Sequence, residues 1–160
     1  MFWVILLMAQ AAVPSQIERG EALYMASPDG CGTCHALKGK GTAVGPDLKP
    51  IAHISPSGIA TAIRSTVTQY VVVVKLKTGE SFPSMPPTGE GKVKLYDLSK
   101  TPPELHEVDK ADIASTAANN VWKHPAAARK YTKEQMADII AYVRYAGANN
   151  RQPVDPADVQ

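Results

Sequence analysis

Apolar positions at helical spacing occupy the two ends of the chain, and a β-branched, alternating pattern fills its middle. Ser15-x-x-Glu18 is a capping box. It opens a helix with Ile17, Gly20, Glu21 and Tyr24 on one face, ending before Pro28. Ser57 is placed to cap a second helix whose buried side carries Ile59, Ala62, Ile63 and Val67. Tyr70 to Leu76 then reads as a strand, Thr78-Gly79 as a turn, and Val93, Leu95 and Asp97 as one face of another strand. A further strand covers Leu105 to Val108, followed by one helical turn over Lys110 to Ile113. Pro83, Pro86 and Pro87 restrict residues 82–88 to an edge strand or loop, because proline cannot donate to a sheet ladder. Thr132-x-x-Gln135 caps a last helix with Met136, Ile139, Ile140 and Val143 at helical spacing, and Gly147 is its expected stop. The expected architecture is mainly α, with a small antiparallel β insert at about residues 69–114 and a flexible tail over 148–160.

Phe2 to Met8 is a continuous apolar run, and Ala9-Gln10-Ala11 follows it with the small-x-small pattern of a signal-peptidase site. The run falls short of the roughly twenty residues that a membrane-spanning helix needs. Residues 1–12 are therefore read as a signal peptide or N-terminal hydrophobic segment, although no Lys or Arg precedes Phe2. Residues 13–147 suit one domain: 160 residues at 44% apolar can bury a modest core. A net charge of +2 without a block of like charge argues against nucleic acid as a partner.

The chemistry concentrates in Cys31-Gly32-Thr33-Cys34-His35. Two thiols three positions apart, followed directly by an imidazole, form the arrangement that attaches a c-type haem. Each thiol adds across one vinyl group of the porphyrin, and the adjacent imidazole points at the iron as proximal ligand. Gly32 is expected to let the loop pass close to the macrocycle. A zinc site needs further ligands, and no other cysteine exists. A thioredoxin-type centre wants a strand before the motif and a helix after it, whereas Gly30, Gly39 and Gly41 flank this one. One covalent haem c is the expected cofactor, and its attachment implies an extracytoplasmic, periplasmic setting. Both cysteines are consumed by it, so no disulfide is expected.

A capped helix, the Cys-x-x-Cys-His loop, Gly45-Pro46-Asp47-Leu48, a second helix and a Tyr-containing last helix together resemble class I, mitochondrial-type cytochromes c. The likeness covers roughly residues 15–68 and 120–147, and the β insert is similar to that of a bacterial subgroup often associated with dehydrogenase modules. It implies that the Pro46 carbonyl supports the second ring nitrogen of His35. It also implies that Gly20 packs against Tyr142 where the first and last helices cross, and that Leu48 and Ile63 wall the haem pocket.

The sixth ligand has two candidates. Met85, in Phe82-Pro83-Ser84-Met85-Pro86-Pro87, carries the local Met-Pro signature but falls inside the insert. In the insert-bearing relatives the ligand methionine, followed by proline, stands about nine residues before the last helix. Here that slot holds Trp122-Lys123-His124-Pro125, which makes His124 the preferred distal ligand, Met85 its alternative, and Trp122 a haem-packing residue. His53 is a candidate neighbour of a haem propionate, and His106 is expected to face solvent. Lys38, Lys40, Lys49, Lys123, Arg129 and Lys130 are expected to frame the haem edge and steer acidic redox partners. The resulting expectation is a single-electron carrier with no catalysis of its own. The alternatives are a fixed subunit of a membrane redox or dehydrogenase complex, and an open-site haem sensor or peroxidase-like enzyme.

Overall fold

The computed structural model describes residues 14–65 and 70–159. The N-terminal apolar run and Val67 lie outside them. Among the described residues there are three α-helices, α1 (Gln16–Tyr24), α2 (Pro56–Arg64) and α3 (Lys133–Ala148). Five strands form the insert: β1 (Val72–Leu76), β2 (Ser81–Ser84), β3 (Lys92–Asp97), β4 (Glu104–Asp109) and β5 (Ile113–Ala118). Strand is thus nearly as prominent as helix, and "mainly α" describes the helical frame better than the whole chain. Among the described residues, no helix is long and apolar enough to cross a membrane.

Both capping boxes form. Ser15 and Glu18 satisfy each other's orphan backbone groups at the start of α1, and Thr132 and Gln135 do the same for α3. The cap of α2 is Ser55 rather than Ser57: its hydroxyl accepts from the Gly58 N–H, and Pro56 takes the first helical position. Proline suits that place because its missing N–H would be unpaired there anyway. Gly147 does not stop α3, which runs one residue further and is capped by Asn149 in the left-handed region at φ 53°. Gly147 is buried instead, with room for a side chain taken by Ala52.

At Gly20 the α1–α3 crossing leaves no room for a side chain. A Cβ at Gly20 would lie 2.6 Å from the Asp138 carbonyl carbon and 2.9 Å from Tyr142 Cβ. Around this point Tyr24 and Tyr142 pack with ring centroids 5.1 Å apart, and Arg19 grips the buried Asp138 carboxylate with two 2.8 Å bonds. Residues 150–159, expected to be frayed, fold back over the helices. Val154 and Val159 are buried beside Ile59, Met136 and Ile140. The Gln16 amide exchanges two hydrogen bonds with the Val154 backbone, at 2.8 and 2.9 Å, and Arg64 donates to the Val159 carbonyl at 2.7 Å.

The insert has its own core of Val74, Leu76, Phe82, Val93 and Leu95. Antiparallel β2-β1-β5 forms one sheet and the β3–β4 hairpin another, with Val93, Leu95 and Asp97 buried on one face as alternation implies. β2, the proline-bearing strand, lies at an edge. After a 3₁₀ turn at Lys110–Asp112 the chain enters β5, so the insert extends past residue 114 to Ala118. His106 does not face open solvent: its ring stacks on Phe82 at 4.6 Å, and its Nε2 is buried without a partner.

Candidate functional site

Between the helices and the insert lies a cavity of about 540 Å³ with predominantly apolar walls. That volume sits within the range of cofactor and ligand sites. Cys31, Cys34 and His35 line one side of it, and His124 and Trp122 line it as well. Leu48 and Ile63 contribute to the wall, as does Met85 from the insert. The insert's β3–β4 turn also supplies Leu98 and Thr101, so the β unit is part of the enclosure rather than an appendage.

Backbone bonds shape the thiol loop. Cys31–Thr33 is one 3₁₀ turn; the N–H groups of Cys34 and His35 both return to the Cys31 carbonyl, at 3.1 and 2.8 Å. The Cys34 carbonyl accepts from Val44 and Gly45, tying this loop to the Gly-rich stretch behind it. Gly32 does not face the cavity as expected: a Cβ there would meet Met25 Sδ at 2.8 Å and the Tyr24 ring at 3.3 Å. Its missing side chain makes room for the α1 end instead. Tyr24 donates its hydroxyl to the His35 carbonyl at 2.8 Å, which fixes the backbone from below.

His35 is held on two sides. Its Nδ1 lies 2.7 Å from the Pro46 carbonyl oxygen, and a carbonyl only accepts, so Nδ1 carries the proton and Nε2 keeps a free lone pair. Gly45 lies against the ring, where a Cβ would come within 2.7 Å of Cε1. Burial lowers the His35 pKa, partly opposed by the Pro46 bond. Burial also lowers that of His124, helped by His35 and Arg129 nearby. Both rings are therefore neutral at neutral pH, the form that binds a metal. Burial raises both thiol pKa values, with Arg129 opposing, so Cys31 and Cys34 are protonated thiols in the bare polypeptide; no disulfide joins them.

His124 is positioned from β5. Past the strand, the Asn119 N–H bonds the Val71 carbonyl, and its side-chain oxygen accepts from the N–H groups of Val121 and Trp122. The Trp122 indole N–H reaches the Leu98 carbonyl at 3.4 Å, and its ring meets His124 edge-on at 6.2 Å. The His124 and His35 ring centroids are then 5.9 Å apart, and His124 Nδ1 is buried without a partner. Two metal–nitrogen bonds of about 2 Å, plus about 1 Å from each nitrogen to its ring centre, sum to roughly 6 Å. A metal held between the two rings fits that separation, and a flat apolar macrocycle fits the walls.

A family model described as Cytochrome c matches residues 17–115. The chain belongs to the cytochrome c family. No curated protein matches it. As a cytochrome c domain, it is a haem-binding electron-transfer protein whose cofactor is covalently bound haem c, working with redox partners. The matched stretch ends inside β5, leaving α3 and His124 beyond it.

Other expectations change. His53 is exposed and outside the cavity. The basic rim is dispersed: Lys40 pairs with Glu21, Lys38 lies over the Tyr145 ring, and of the six expected cations only Arg129 lines the cavity. Lys100, from the β3–β4 turn, joins it there. Leu98, Lys100, Thr101 and Pro103 also wall the cavity, and no motif in the sequence marks them for that place.

Proposed function

We propose that this cytochrome is a monohaem, periplasmic carrier of single electrons with bis-histidine ligation. In this reading Cys31 and Cys34 tether the cofactor, His35 is the proximal ligand and His124 the distal one. The haem supplies reversible one-electron chemistry at its iron. The polypeptide's part is to orient and enclose. Pro46 fixes the His35 tautomer, Trp122 and Asn119 orient His124, and Leu48 and Ile63 keep water from the ring. The observation that carries the reading is that the His35 and His124 rings line one apolar cavity with their centroids 5.9 Å apart. If His35 and His124 both hold the metal, outside molecules would find no free site there, which favours a carrier without catalysis of its own over a sensor or peroxidase. Histidine in place of methionine lowers the potential, so a low-potential partner is implied. The periplasmic setting rests on thioether attachment and on the signal-like residues 1–12. A fixed role in a membrane redox or dehydrogenase complex is compatible with the same site.

The test is a spectroelectrochemical titration of the purified holoprotein. A single reversible one-electron wave, low-spin in both states and unaffected by carbon monoxide, is expected. A high-spin ferrous form that binds carbon monoxide rapidly would overturn the carrier and favour the open-site alternative.

A further inference from the structure

The His124 loop is pinned before the ligand by Asn119, and after it by Arg129. Arg129 Nη2 lies 3.3 Å from Asp29 Oδ1, across one hundred residues of sequence, and Nη1 lies 3.3 Å from the Tyr131 hydroxyl. Its N–H also closes the turn onto the Ala126 carbonyl at 3.2 Å. Asp29 stands two residues before Cys31, so this ion pair ties the segment after His124 to the segment entering the thiol loop. Both partners line the cavity. The Arg129 side chain is only 25% exposed, against 70% for Asp29, so the guanidinium is less screened than in an ordinary surface pair.

We propose that Arg129 is a positioning residue: through Asp29 it clasps the His124 loop to the Cys31–His35 loop and holds the distal imidazole against displacement by outside ligands. The proposal rests on His124 being the distal ligand. Removing a pair of this kind forfeits on the order of 1 kcal/mol, or about fivefold in the opening equilibrium, and the Tyr131 bond brings Arg129 to roughly tenfold.

The experiment measures cyanide binding to the ferric holoprotein by stopped flow, with thermal unfolding recorded in parallel. R129M keeps the apolar stem over the cavity and removes the donors; D29N removes the partner charge. Cyanide should bind about tenfold faster in R129M and about fivefold faster in D29N, with the double variant no faster than R129M alone. A rate within twofold of the parent in R129M, or effects of the two changes that simply multiply, would overturn the clasp. So would a lowered unfolding temperature with no change in the cyanide rate, the mark of a merely structural pair. H124A separates the two claims. An optical spectrum unchanged in H124A removes the ligand reading and the clasp with it. A changed spectrum alongside a silent R129M removes the clasp alone.

Discussion

Replacing Gly20 with alanine tests the helix crossing on which the pocket is built. The new Cβ would lie 2.6 Å from the Asp138 carbonyl carbon and 2.9 Å from Tyr142 Cβ, where ordinary carbon contacts are about 3.5–4.0 Å. The obstacle is backbone, which cannot rotate aside, so α1 and α3 must separate by about 1 Å. A gap of that size forfeits up to about half of each contact's attraction along the seam. Overpacking of this kind costs about 1–3 kcal/mol, and an unyielding neighbour puts it near the upper end. Alanine's better helix propensity returns about 1 kcal/mol, leaving a net loss of about 2 kcal/mol. For a chain of this size that is a fall of roughly 4–8 °C in the unfolding midpoint. Circular dichroism of the haem-loaded protein measures it. An unchanged or raised midpoint in Gly20→Ala would refute the crossing.

Tyr24→Phe leaves the His35 carbonyl without its partner and should cost about 1–2 kcal/mol in denaturant titration. Burial raises the Tyr24 pKa, so the folded state holds that proton more tightly than the unfolded chain. Stability is then intact below about pH 10 and falls as pH climbs above it, and Tyr24→Phe should flatten that slope; an identical slope counts against the assignment. Gly45→Ala would press on the His35 ring, at 2.7 Å from Cε1, and should shift the midpoint potential; identical potential and spectrum would contradict the packing described for His35. Val154→Ala removes a buried anchor of the C-terminal segment and should cost about 2 kcal/mol in thermal or urea unfolding, whereas no change would mean the segment does not pack.

Much of the helical frame was legible because its signals are local. The two capping boxes stand within four residues each, and Gly20 and Tyr142 followed from the resemblance. Ser57 misled because it sits two residues from the true cap; Pro56 at the first helical position was the better sign. β5 was missed since Ile-Ala-Ser-Thr-Ala-Ala is alanine-rich and mostly exposed, so no alternation marks it, and its partner β1 is distant in sequence. Val154 and Val159 are isolated apolar residues in a proline-bearing tail, and only the assembled helices reveal their slots. The thiol motif announced itself, whereas the meeting of His124 with His35 depends on an insert whose path no local pattern gives. The Arg129–Asp29 pair is equally invisible in one dimension.

The ferric optical spectrum of the holoprotein decides whether His35 and His124 are both ligands of the proposed haem. A low-spin spectrum lacking the weak far-red band of methionine ligation is expected. His124→Ala should convert it to a high-spin form, or to one bearing the methionine band if Met85 moves in, while Met85→Ala should leave it unchanged. A His124→Ala spectrum indistinguishable from the parent, or a parent spectrum that carries the methionine band and loses it in Met85→Ala, would rule out bis-histidine ligation.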